Sequence, residues 1–218
     1  MAGWWTAAGV VAVLATPAMA AAAAVEVRVE QRDGAPLADV VVAALPLAGG
    51  PLAPPAPAVM DQRDRRFVPQ ILVVQRGARV AFANSDSVSH HVYSFSPVQR
   101  FQLFLPKGEP PPEIDFEHAG VVTLGCNLHD WMLGYIAIVD TPYFTKTDAA
   151  GAARLRDLPA GRYRLELWHP RVTDGDERLR HQVDLGGAAA PPWRLRLEQP
   201  LLPSREQEPA FQEYGGGG

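Results

Sequence analysis

An all-β chain of the sandwich or barrel class is predicted for these 218 residues by three observations. Apolar residues recur with period two, the spacing of a strand with one face buried. Turn formers are abundant, with 19 Gly and 21 Pro, above their usual combined share of ~12%. No segment after Val25 shows the apolar spacing of a long amphipathic helix.

The strands follow in order along the chain. Val25, Val27 and Val29 alternate with Glu26, Arg28 and Glu30; Asp33-Gly34 and Pro36 then mark a turn, and Asp39 to Leu45 forms a second strand. Pro51, Pro54, Pro55 and Pro57 crowd into a stretch suited to an extended linker and unsuited to a sheet interior. Further strands are expected at Ile71–Val74, Arg79–Ala83, His91–Phe95, Phe101–Leu105, Val121–Leu124 and Tyr135–Val139, and then at Ala153–Leu155, Arg162–Trp168, His181–Leu185 and Trp193–Leu197.

Composition removes several classes of function. A hydrophobic content of 47% is ordinary for a globular protein and excludes a wholly disordered or polytopic membrane chain. With 24 acidic against 20 basic side chains and a net charge of −4, there is no basic excess for nucleic acid. At ~150 residues per domain the length allows one or two units.

The first stretch is an address rather than a fold. Residues Ala2 to Val25 carry no charged side chain, and Ala18-Met19-Ala20 after Pro17 has the small-x-small pattern of a signal-peptidase site. Residues 1–20 are therefore expected to be a secretory signal, with an uncleaved anchor as the alternative. Either reading places the folded part outside the cytoplasm, in the periplasm, with no membrane span after cleavage.

The chemistry is concentrated in Cys126-Asn127-Leu128-His129-Asp130-Trp131-Met132, where thiolate, imidazole and thioether follow at Cys-x2-His-x2-Met spacing between two strands. So short a loop can turn three donors toward one point. A second imidazole is offered upstream by His90 or His91. One Cys, two His and a weak axial Met form the donor set of a blue-copper electron-transfer site, because thiolate and thioether favour Cu(I) while imidazole suits both oxidation states. Structural zinc normally takes four Cys or His ligands, and Met serves it poorly. A binuclear copper centre needs a second Cys, and the chain has one. A Cys nucleophile with His as base lacks a third orienting group. A packing role for Cys126 and Met132 is the plain alternative.

These residues resemble the cupredoxin family: Phe82-Ala83-Asn84, His90 six residues after Asn84, and an apolar strand running into Cys126-x2-His129-x2-Met132. The loop spacing is similar to that of short-loop members such as amicyanin, and the segment resembles bacterial proteins labelled methylamine utilization protein. The likeness spans roughly Val59 to Asp140. It implies a Greek-key β-sandwich holding one type 1 copper through His90, Cys126, His129 and Met132. Where many cupredoxins carry an Asn that braces the Cys loop, this chain has His91. Counting from Phe82 favours His90 as the ligand, and strand alternation turns His91 to the opposite face.

Neighbouring residues have more ordinary expectations. Asn84 and Asp86 suit a turn whose Asx side chains bind nearby backbone. Trp131 is assigned either to packing or to a docking patch, and His118 to a turn. Residues 25–50 and 141–198 resemble a carboxypeptidase regulatory-like or transthyretin-like β-sandwich, interrupted by the cupredoxin domain at 59–140. Pairing of Val25–Val29 with the sheet of Arg162–Trp168 distinguishes this insertion from a serial arrangement, in which it pairs with Ile71–Val74. His169 and His181 lack a ligand cluster in the sequence, and Arg154, Arg156, Arg162, Arg164 and Arg171 suit a solvated face. The tail 199–218 is expected to be disordered. The function implied is a monomeric periplasmic electron carrier with a redox partner protein and no catalysis. Copper binding or delivery, or a structural module with a non-cycling copper, is the alternative.

Overall fold

The computed structural model describes residues 23–50, 52–175, 178–186 and 190–204; the expected signal and most of the expected tail lie outside them. Among the described residues the fold is all-β, as predicted, with 16 strands and no helix. The first half contains β1 (Ala23–Glu30), β2 (Val41–Pro46), β3 (Ala58–Arg63), β4 (Arg66–Val68), β5 (Ile71–Gln75), β6 (Ala78–Asn84), β7 (His90–Ser96) and β8 (Gln99–Leu105). The second contains β9 (Glu113–Phe116), β10 (Gly120–Cys126), β11 (Leu133–Val139), β12 (Phe144–Lys146), β13 (Ala152–Leu158), β14 (Arg162–Trp168), β15 (Arg180–Asp184) and β16 (Trp193–Arg196).

The flanking strands form one sandwich. Its sheets have the orders β13-β1-β16 and β12-β2-β14-β15. Period-two patterning drives them together: Val25, Val27 and Val29 are buried while Glu26 and Arg28 face solvent, and Tyr163, Leu165 and Leu167 meet them in the same core cluster. Each such aliphatic side chain removed from water contributes about 1.5–3 kcal/mol. The pairing of β1 differs from both arrangements the sequence distinguishes. Val25–Arg28 pair with β13, and Val27–Glu30 pair with β16, whereas Tyr163–Trp168 pair with β2 in the facing sheet. The two N-terminal strands are thus divided between opposite sheets.

Two buried threonines anchor the return of the chain into this sandwich. Thr141 donates to the carbonyl of Ala44. Thr147 donates to that of Leu37 and accepts from the N–H of Val40. At the start of the expected tail, the N–H of Gln199 donates to Asp174, and the N–H of Leu202 donates to the carbonyl of Arg171. Asp174, buried with Arg178 beside it, accepts from the N–H of Glu198 as well, which gives this segment partners that its polar composition does not reveal.

The central strands form the second sandwich, with sheet orders β5-β11-β10-β7-β8 and β4-β3-β6-β9. Met60, Phe82, Phe116, Val122, Leu124 and Ile136 fill it. Strands β3, β4, β9 and β12 have no counterpart in the sequence expectations. In the β3–β4 hairpin the turn residues are Asp64 and Arg65, both with positive φ (52° and 55°). That conformation is usually signalled by Asn-Gly or Asp-Gly, so the hairpin escapes a search for turn residues. Where the two sandwiches meet, Val41 joins Ile71 and Ala137, and Trp168 lies edge-on to Tyr135 at 5.7 Å.

Leu165 is completely buried. Leu165→Ala is expected to lower the unfolding free energy by ~2–5 kcal/mol, measured by denaturant titration; a loss below ~1 kcal/mol would show that the surrounding core closes over the gap.

Candidate metal centre

The site is built at the ends of two neighbouring strands. β7 starts at His90 and β10 ends at Cys126, and the two pair antiparallel through Gly125 with Tyr93 and Cys126 with Val92. The N–H of Asn127 donates to the carbonyl of His91 at 2.9 Å, carrying the ladder one step past the strand. Residues 36 apart in sequence are thereby held face to face. Gly125 permits the approach: the Tyr93 ring lies over it, 2.5 Å from where a Cβ would stand.

Strand alternation sorts the two adjacent histidines. His90 points inward with Val92 and Ser94 and is completely buried. His91 points outward, with Nδ1 3.2 Å from Asn127 Nδ2 and its ring edge-on to Phe104. The outward histidine thus meets the Cys loop through both its carbonyl and its ring.

The donors converge inside. Cys126 Sγ lies 3.8 Å from His90 Nδ1 and 3.6 Å from His129 Nδ1, and the three donor atoms lie within 4.8 Å of one another. Typical lengths of ~2.0 Å to nitrogen and ~2.3 Å to sulfur, with angles between tetrahedral and trigonal, separate N and S by ~3.5–3.7 Å. The spacing therefore suits one first-row metal ion. Met132, the fourth residue singled out by the sequence, is 3% exposed in the same core cluster as Cys126. Its N–H donates to the carbonyl of His129 at 3.0 Å, which closes the 127–132 loop. The grouped donors are one soft thiolate and two imidazoles, with the Met132 thioether in the same core cluster, a mixture suited to copper.

The Asx residues before His90 do more than shape a turn. Asn84 accepts from the N–H of Asp86 and donates to the carbonyl of Val88, as expected of a turn, but it also donates to the carbonyl of Leu105, 21 residues on. Asp86 Oδ1 accepts from the N–H of Asp64 at 2.6 Å; its Oδ2 accepts from the N–H of Arg65 at 2.9 Å and lies 2.8 Å from His90 Nε2. The spacing of Asp86 and His90 is visible in the sequence, but the two N–H donors come from a turn more than 20 residues earlier. Trp131 packs on His129 with centroids 5.5 Å apart. His118 is exposed in a bend outside the cluster.

Electrostatics favour charge separation among these groups. Burial opposes the Cys126 thiolate, but the hydrogen bonds from His90 and from the backbone around His91, Leu128 and His129 prevail and bring the thiol below its ordinary value. Burial likewise opposes charge on His90, and contacts with Cys126 and Asp86 overcome it and raise that imidazole. Burial raises the Asp86 carboxyl, yet the Arg65 N–H, His90 and the Asp64 N–H together lower it. His129 is lowered by burial and then by the charge of His90 and Arg65, which keeps it a neutral donor.

The other histidines lie in the flanking sandwich. His169 is buried and lowered to about 4, by burial and then by Arg171. His181 stacks on Trp193 at 5.1 Å. Arg154 and Arg164 pair at the surface with Glu26 and Glu166, contacts worth about 0–1 kcal/mol.

No protein-family model and no curated relative matches this chain. Among solved structures, a reduced amicyanin variant is 23% identical and aligns over 38% of this chain and 81% of its own, with TM-score 0.34. A Cu(I) form of another amicyanin variant is 24% identical over 46% of this chain and 99% of its own, with TM-score 0.34. A purple cupredoxin from Nitrosopumilus maritimus is 25% identical over 37% and 96%, with TM-score 0.33.

In metal-free protein, Cys126 is expected to ionise below the ordinary value of a thiol, followed through the ultraviolet absorbance of the thiolate against pH. His90→Ala removes the foremost favourable contact and should move that midpoint upward; an unmoved midpoint would remove His90 as its cause.

Proposed function

We propose that His90, Cys126, His129 and Met132 hold one copper as a type 1 centre, and that the protein carries single electrons between redox partners in the periplasm. The observation that carries this reading is the convergence of two imidazole Nδ1 atoms on one buried thiol sulfur. Bound copper supplies a one-electron couple. The chain supplies the rest: Cys126 and His90 sit on strands and resist rearrangement, and Cys126 is buried in one core cluster with Val92 and Leu124, with Trp131 packed against it.

A site held by framework strands changes little when its charge changes by one, so little reorganisation opposes electron transfer. No base or substrate cavity enters such a process, and the reading assigns no catalysis to the chain. Leu128, next to His129 in the loop, is 53% exposed, and Phe104, against His91, is 62% exposed. They offer apolar surface near the ligand loop for a redox partner protein. The central sandwich is the electron-carrying unit, inserted within the flanking one. The expected leader directs the chain out of the cytoplasm.

Copper storage or delivery is the second reading, since a soft thiolate and thioether also retain Cu(I). Protein loaded with Cu(II) is expected to show an intense thiolate-to-copper band and narrow copper hyperfine splitting, both lost in Cys126→Ala. Repeated reduction and reoxidation should leave the metal bound. Loss of copper on reduction would favour delivery, and an ordinary tetragonal spectrum would overturn the type 1 assignment.

A further inference from the structure

Resting on the copper reading, we infer that Asp86 is a positioning residue for the centre: it fixes His90 with Nδ1 free to act as donor and places a negative charge directly behind that ligand. The geometry is specific. His90 is completely buried and has two polar contacts, Nε2 with Asp86 Oδ2 at 2.8 Å and Nδ1 with Cys126 Sγ at 3.8 Å. A carboxylate only accepts hydrogen bonds, so Nε2 must carry the proton and the neutral ring must present its lone pair at Nδ1. That nitrogen is the one aimed at the thiol.

Asp86 is itself held in place. Its two oxygens take the N–H groups of Asp64 and Arg65 from the β3–β4 turn, and its side chain is 10% exposed. The ring is therefore braced from the opposite sheet, by a hairpin that contributes no donor to the metal. A carboxylate bonded to the distal nitrogen raises the basicity of the metal-bound one. Added negative charge also favours Cu(II) over Cu(I) by elementary electrostatics.

Asp86→Asn keeps the size and removes the charge. One oxygen must then serve three N–H donors, and an amide N–H turned toward His90 favours the opposite tautomer. Two readouts test the inference, with denaturant titration confirming that each protein is folded. In metal-free protein, nitrogen-15 spectra of His90 should show the neutral ring protonated at Nε2, and Asp86→Asn should shift the ring toward protonation at Nδ1. In copper-loaded protein, Asp86→Asn should weaken Cu(II) binding by ~10–100-fold. Its reduction potential should rise by ~59 mV for each tenfold loss confined to Cu(II).

A neutral wild-type ring protonated at Nδ1 and not at Nε2 would overturn the inference. So would an Asp86→Asn protein with unchanged potential and Cu(II) affinity, which would reduce Asp86 to a brace for the turn. If the unaltered chain forms no blue centre, the function proposed above fails, while the ring-nitrogen spectra still decide the tautomer.

Discussion

The short antiparallel contact between β7 and β10 is the constraint on which the site depends. It spans few residue pairs, yet it sets the end of one strand against the start of another and brings a thiol and an imidazole from distant parts of the chain together. The ordering entropy of the two ligands is met by the whole sheet, where Leu124, Val122 and Val92 are completely buried. What the loop must still organise is small: His129 and Met132, linked by one backbone hydrogen bond.

Around that contact the surroundings are graded by depth. Next to the donors lie hydrocarbon and one aromatic ring; behind His90 lies a carboxylate with its own backbone partners; beyond the loop lie exposed Leu128 and Phe104. A low-dielectric interior strengthens the few polar contacts it contains and makes unpaired ones costly. The Asp86–His90–Cys126 chain satisfies both ends of the buried ring.

Much of the candidate site is legible in the sequence because most of its residues lie close together along the chain. Cys126, His129 and Met132 lie on one loop at fixed spacing, and period-two alternation sorts His90 from His91. The all-β class is legible for the same reason: alternation is a property of each strand alone. Long-range choices are less visible. Which sheet β1 joins depends on how Val25, Val27 and Val29 meet Leu155, Leu165 and Leu195 in one core, and apolar residues do not encode partners individually. The β3–β4 hairpin escaped because Asp64 and Arg65 adopt positive φ without glycine. Its grip on Asp86 escaped with it. At the C-terminal end, composition suggested disorder from Gln199, but Asp174 buries its carboxylate against backbone N–H groups there.

The single thiol has a further consequence for handling. Cys126 is the chain's one cysteine and is 3% exposed. Folded molecules therefore present almost no thiol to one another, so covalent dimers should be a mark of unfolding rather than of ageing. An internal crosslink is ruled out by the count. The chain can fold without a sorting step for disulfide partners, and its one thiol is kept from solvent oxidants by the same core that positions it.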